Sequence, residues 1–438
     1  MHSMEIITNP AIVSIIMLCI LCLKKVNVLL AIIVSTIVAG LLSGMGVKHV
    51  MDVFISGMGG NSETALSYIL LGAFAATMAH SGFTNKLSEK ITKIIHGKKY
   101  ILLLVLTLIA MASQNIIPIH IAFIPIIIPP LLSTMNKLQI DRRAVASVLA
   151  FGLKMPYITI PVGFGLIFQN LIADNMIQNG ANVLREDIWK YTSILGLAMV
   201  VGLLFAIFVT YRKKRQYEDL PLAITVPQVT ECSKYTTWVV VLAAIITFIV
   251  QLLTHSLPLG ALVGLGVIFS LKIIPKNKMD HMMNEGIYLM GYVAFVMLVA
   301  AGFASVLKES GAIESLVTFV ISIMPENIVL ISFIVLLLGL FITIGIGTSF
   351  GTIPILAVLF VPICLKTGFN IPQIAVLLAA AAALGDAGSP ASDTTLGPTS
   401  GLNADGQHNH IFDTCIPTFV HYNLALILFA LIGIWFLR

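Results

Sequence analysis

Residues 385–395 read GDAGSPASDTT and set two carboxylates, Asp386 and Asp393, among two serines and two threonines. Carboxylates, hydroxyls and the carbonyls freed where a helix stops are all oxygen donors. Such a set suits a small hard cation. The aspartates are seven apart, two turns of an unbroken helix, but Gly388 and Pro390 ensure a break between them. The helical run AVLLAAAAAL leads directly into the motif, so a helix is expected to end at it.

The surroundings are apolar. Of 438 residues, 58% are hydrophobic and 10% charged, with a mean hydropathy of +1.00, against roughly 25% charged in a soluble domain. Apolar runs able to cross a bilayer recur from end to end, so the chain reads as a multi-pass protein of the cytoplasmic membrane with no soluble domain. The formal charge of +5 comes from short basic loops, which speaks for topology and against a nucleic-acid partner. The amino terminus lacks a signal-peptide pattern and is expected to be a retained helix. The cysteines, including the Cys19-x-x-Cys22 pair inside an apolar run, read as packing residues, and no metal centre or cofactor is expected.

Lys24-Lys25 and the basic stretches 86–99, 136–143, 211–219 and 272–278 are assigned to the cytoplasm, and 44–63, 174–190 and 254–258 to the outside. SQNIIPIHIAFIP (113–125) aligns with SFGTIPILAVLFVP (349–362), Ser113 on Ser349 and Pro118 on Pro354, while Ser81-Gly82 aligns with Ser310-Gly311. Carried onto the loops, this alignment exchanges inside and outside. The expected fold is therefore an all-α polytopic membrane protein with two inverted-topology repeats, broken helices and re-entrant hairpins, about 11–13 membrane segments in all. The repeats are 1–211 and 237–438, joined by a basic linker, 212–236.

Each half carries two interruptions, at 111–118 and 152–161 and at 345–354 and the 385–395 motif. Irregular backbone inside a bilayer must have its amides and carbonyls satisfied by protein, water or a ligand. Four breaks meeting at a repeat interface read as a binding site. A charge near the bilayer centre costs at least about 2.5 kcal/mol and is functional by default. The contrary reading, an exposed loop over 386–410, conflicts with the apolar MPYITIP at the matching place in the first half. Lys154, between Gly152 and Pro156, either pairs with Asp386 or Asp393, meets a substrate carboxylate, or snorkels to the interface. Gln114, Asn115 and Thr159 are neutral donors and acceptors suited to a zwitterion. His120 is a packing residue or a protonatable gate. His408 and His410, near Asp405 and Asp413, read as a gate or cap over the acidic break and not as metal ligands. There is no GxxxxGK[ST] or HExxH, and neither an ATP-driven pump nor an enzyme is expected.

The motif resembles the GD-x-x-SP-x-SDTT signature of the NhaC-type Na⁺/H⁺ antiporter family, in the ion-transporter superfamily of inverted-repeat carriers, and the resemblance runs over nearly the whole chain. The tail NADGQHNHIFDTCIPTFVHYN (403–423) is similar to a branch described as amino-acid permeases, for which histidine is one proposed substrate. Ala387 stands where antiporter-like members often carry a Lys or other polar residue. The resemblance implies cation coordination by Asp386, Ser389, Ser392, Asp393, Thr394, Thr348 and Ser349, with Ser113, Gln114, Asn115 and Thr159 meeting the solute. It implies a homodimer, Na⁺ or H⁺ as coupling ion, and a small organic solute, an amino acid, carried by alternating access. Na⁺/H⁺ exchange without an organic substrate is the alternative.

Overall fold

A computed structural model describes residues 9–24, 26–83, 98–115, 124–220, 233–254, 256–312, 327–346, 348–390 and 392–437. Among these residues every regular element is a helix, the all-α polytopic architecture that the composition demands. The first half holds α1 (Pro10–Leu23), α2 (Val28–Leu42), α3 (Val47–Met58), α4 (Ser62–His80), α5 (Lys99–Asn115), α6 (Ile124–Lys137), α7 (Arg142–Thr159), α8 (Phe164–Gln178) and α9 (Ile188–Phe205). The second holds α10 (Lys234–Thr254), α11 (Leu257–Ser270), α12 (Met279–Glu309), α13 (Ile328–Ile346), α14 (Ser349–Lys366), α15 (Ile371–Ala383), α16 (Asp393–Leu402) and α17 (Leu424–Phe436). Among the described residues four stretches are long and apolar enough to cross a bilayer, and α7 with α8, bent by 49°, makes a fifth.

The helices form two groups. In one, the 31-residue α12 lies against α2, α3 and, most extensively, α4. That contact depends on glycine: a Cβ on Gly286 would fall 2.3 Å from the Ala73 amide nitrogen, and one on Gly72 would fall 2.6 Å from the Gly286 carbonyl. Small residues let the two backbones meet where no hydrophobic force separates helix from lipid. In the other group the halves interlock, with α16 packed on α6 and α7 and α8 packed on α14. This exchange brings the broken segments together.

Left-handed backbone recurs at Gly82 and Gly311 and at Gln139 and Gly368, each pair 229 residues apart. The N-caps Asp141 and Asn370, whose side chains each accept a backbone N–H, are separated by the same interval. This is the interval at which Ser81-Gly82 aligns with Ser310-Gly311, whereas the alignment of Ser113 with Ser349 has no such counterpart in the backbone. Ser113 lies in the last turn of α5, whereas Ser349 opens α14. The breaks are also narrower than expected. Helix α7 runs through Pro156 to Thr159, and α14 contains Pro354, so in both helices the proline is accommodated within the turn. Residues 116–123, with His120, lie outside the described residues, as do linker residues 221–232.

Gly286→Ala should lower the apparent melting temperature of the detergent-purified protein by several degrees, since a methyl forced against a neighbouring backbone costs about 1–3 kcal/mol. Gly266→Ala is the matched control, because a Cβ there meets nothing within 4 Å. It should be neutral or slightly stabilising. Equal effects at both positions would dismiss the packing argument.

Candidate functional site

Asp386 stands in the connection between α15 and α16, and two glycines place it there. Gly385 has φ +79°, and a Cβ on it would lie 2.7 Å from both the Leu340 carbonyl and the Ile344 amide; Gly388 has φ +113° and rests against Phe419. No side chain fits at either without displacing backbone. The turn aims Asp386 between α7 and α14. Its Oδ2 accepts from Lys154 Nζ at 2.9 Å, Tyr157 Oη at 2.9 Å and Ser349 Oγ at 2.7 Å, while Oδ1 accepts from Ser392 Oγ. Lys154 and Tyr157 are three apart on α7 and so share a face. The side chains of Lys154 and Asp386 are only 1% and 6% exposed, so Lys154 does not snorkel to an interface. Removing two charges from water costs several kcal/mol per ion, and such a pair persists only when further hydrogen bonds complete it. Four donors on one carboxylate do so.

The rest of the connection is satisfied by side chains. Thr394 Oγ1 donates to the Asp386 carbonyl at 3.0 Å, Asn423 Nδ2 to that of Ala387 at 3.0 Å, and Thr395 Oγ1 to those of Ser389 and Ser392 at 2.5 and 2.9 Å. His410 Nε2 lies 3.0 Å from the Pro390 carbonyl. The carbonyls expected to serve as cation ligands are thus occupied in this conformation. Asp386, Ser349, Ser392 and Thr394 converge. Ser389 Oγ instead donates to the Ile344 carbonyl at 3.1 Å, Thr348 stands at the N-cap position of α14 without a side-chain capping bond, and Asp393 opens α16 half-buried.

Of the neutral residues expected to meet a solute, those described donate to backbone. Ser113 Oγ donates to the Ala110 carbonyl at 2.7 Å and Thr159 Oγ1 to that of Met155 at 2.9 Å, each within its own helix. Asn115 Nδ2 reaches the carbonyls of Pro156 and Ile160 at 3.2 and 3.4 Å, which ties α5 to the end of α7. The side chain of Gln114 lies outside the described residues. Sequence reading passed over the aromatic layer beside the pair. Tyr157 packs on Phe168 and Phe350 at 5.0 and 5.2 Å, and Tyr68 of α4 meets Phe164 and Phe350 edge-on at 5.4 Å. Beyond this layer a cleft of about 380 Å³, lined by Glu63, Ser67, Asn170, Asp174 and Arg185, opens among segments assigned to the outside.

At the opposite face the basic loops meet. Arg142, fully buried, makes two hydrogen bonds to Asp405, at 2.6 and 2.5 Å, donates to the Leu402 carbonyl at 2.9 Å, and stacks 4.3 Å from the Tyr217 ring. Burial pushes the Asp405 carboxyl up, but the hydrogen bonds from Arg142 and Gln407 together with the Arg142 charge outweigh it and hold that group below the usual carboxylate range. His408 does not cover the acidic break as a gate there should. It is buried in this cluster, 2.6 Å from Thr414 Oγ1, and His410 is the histidine that touches the break. Burial pushes His408 down to about 4.

A family model described as the Na⁺/H⁺ antiporter family matches residues 148–434, and a second, also a Na⁺-H⁺ antiporter family, matches 9–95. An uncharacterized membrane protein of Vibrio parahaemolyticus is 44% identical over 97% of this chain and 99% of its own length. A Bacillus subtilis protein provisionally named an amino acid transporter, YuiF, is 42% identical over 97% and 99%. Among solved structures, the YdaH transporter of Alcanivorax borkumensis aligns with a TM-score of 0.61 at 13% identity over 89% of each chain. The Neisseria gonorrhoeae efflux pump MtrF aligns at 0.56 and 14%, over 88% of this chain and 84% of its own.

Lys154→Met and Asp386→Asn should each destabilise the purified protein by about 3–5 kcal/mol, because each strands a buried partner. The double variant should cost clearly less than the sum of the two. Strict additivity in thermal melts would mean that the pair is not coupled. His408 supports a second expectation. Its folded value, near 4, lies below the ordinary 6.5, so the unfolded chain binds the extra proton, and stability is full above pH 6.5 and falls as pH drops toward 4. Asp413, Arg142, Arg215 and Asp141 face it. Replacing it by Gln should flatten the melting temperature across that window, and an unchanged slope would assign the acid sensitivity to other groups.

Proposed function

Since the chain belongs to the Na⁺/H⁺ antiporter family, we propose that this membrane transporter is a secondary active carrier in which Na⁺ or H⁺ movement drives a small organic solute, an amino acid, across the cytoplasmic membrane. The observation that carries this reading is the Lys154–Asp386 pair, held at 2.9 Å between two interrupted helices and shielded from both faces. A carboxylate there keeps a counter-charge at all times. In this conformation Lys154 supplies it. A Na⁺ ion or proton arriving at Asp386 takes over that role, with Ser349 and Ser392 already in place as oxygen donors. The ammonium of Lys154 is then free for an incoming carboxylate, which it would not otherwise accept. Cation and anionic group are thereby coupled through one exchange of partners, and a zwitterion carries the matching charges.

The outer cleft is the route of entry, and the layer of Tyr68, Phe164 and Phe350 closes it from the pair. The provisional name of the Bacillus relative supports an amino acid as the solute. A second reading, cation exchange without an organic solute, is favoured by one finding. Ser113, Asn115 and Thr159 donate to backbone, with only the Asn115 Oδ1 acceptor left unpartnered among their side-chain amide atoms, so the first half offers a solute fewer neutral donors than its composition promised.

Sealed proteoliposomes separate the two. With Na⁺ and pH gradients imposed independently, labelled amino acids should accumulate only when a cation gradient is present, and Asp386→Asn should abolish the accumulation in a folded protein. Asp393→Asn, at the first position of α16, should raise the half-saturating Na⁺ concentration. Na⁺-driven proton flux with no uptake of any of the twenty amino acids would replace this reading with exchange.

A further inference from the structure

Away from the ion pair, at the end of the molecule that carries the basic stretch 272–278, three ligating side chains meet across the glycine contact of α4 and α12. Glu285 immediately precedes Gly286, and His281, four residues earlier, lies on the same face of α12. The two helices run antiparallel, so the last residue of α4, His80, arrives beside them. His80 Nδ1 is 3.2 Å from Glu285 Oε2, and His281 Nε2 is 3.2 Å from Glu285 Oε1. The two imidazoles stand at 88° with centroids 5.7 Å apart, and the three ligand atoms lie within 4.8 Å of one another.

We infer that His80, His281 and Glu285 form a binding site for a divalent transition metal of the Zn²⁺ type, which clamps the ends of α4 and α12. Metal–nitrogen bonds of about 2.0–2.1 Å at tetrahedral angles set neighbouring ligands about 3.3 Å apart, and each imidazole nitrogen already stands 3.2 Å from one of the two Glu285 oxygens. The remaining separations, all under 4.8 Å, close by side-chain rotation. Two imidazoles with one carboxylate select Zn²⁺, Co²⁺ or Ni²⁺ over Ca²⁺ and Mg²⁺, which prefer oxygen alone. The ligands are between a third and three-fifths exposed, which lets an ion enter from solution and leaves a coordination position for water. His80 Nδ1 also lies 3.2 Å from the Ala76 carbonyl, the bond it makes without metal, and metal binding exchanges that bond for a link between helices. The backbone approach set by Gly72 and Gly286 fixes the spacing, so the site costs little reorganisation.

The test uses full-length protein carrying no histidine tag, stripped with EDTA in detergent. Co²⁺ titration should produce an intense tetrahedral d–d band, and Zn²⁺ calorimetry should show one ion per chain with the melting temperature raised by several degrees. His281→Ala and Glu285→Gln alter exposed side chains, and their folding is checked by melting in EDTA. Each should weaken Zn²⁺ binding at least about tenfold and remove the thermal gain. A weak octahedral Co²⁺ spectrum in the wild type, or Zn²⁺ binding unchanged in His80→Ala/His281→Ala, would overturn the assignment. Neither result bears on the Lys154–Asp386 reading.

Discussion

One buried carboxylate constrains the centre of this molecule. Asp386 is withdrawn from water, so each of its lone pairs needs a donor and its charge needs an opposite, and the surrounding helices are arranged to supply both. Lys154 and Tyr157 come from one side because α7 stays helical past Pro156 and keeps them on a single face. Ser349 comes from the other because α14 begins at that residue. Ser392 serves twice, as a donor to Asp386 and as the N-cap of α16. The interlocking of the two halves follows from the same requirement, since no single half contains both charges.

The interruption that places Asp386 is itself a solved accounting problem. Carbonyls in the connection between α15 and α16 that lack helical partners are met by Thr394 and Thr395 of α16 and by His410 and Asn423 of the apolar helical stretch His410–Phe436. A break in a membrane helix is tolerable when side chains replace the lost ladder. What looks from composition like a concentration of ion ligands is in good part scaffolding for the turn. The same residues can serve an ion only if their present bonds are surrendered, which sets an energetic threshold on any change of state.

Much of this was legible in the residues. The apolar composition gave the all-helical membrane class, and GDAGSPASDTT located the break and its acidic centre. Lys154 was visible as a lone charge in an apolar run, one of three possible fates being the pair it makes. Harder to read was which aspartate it would meet, since Asp386 and Asp393 differ in neighbours and not in type, and the left-handed turn at Gly385 decides between them. The extent of the breaks was overestimated because proline was read as a stop, whereas α7 and α14 absorb it. Tyr68 and the cluster around His80 escaped, and Asn115 was read as a solute ligand although it ties α5 to α7, because such roles depend on how distant helices are juxtaposed and no local spacing encodes that. Tyr157 was within reach, being three residues from Lys154.

The two ion pairs of this core have a kinematic consequence. Lys154 joins α7 to the segment leading into α16 midway along the helix, and Arg142 joins the start of α7 to Asp405 just beyond the end of α16. One pin leaves rotation about every axis through it, and two separated pins leave only the axis that joins them. While both pins hold, α7 and α16 turn against one another about that single axis. The Lys154–Asp386 pair is therefore what restricts tilt, since without it every axis through the Arg142–Asp405 pair would be open.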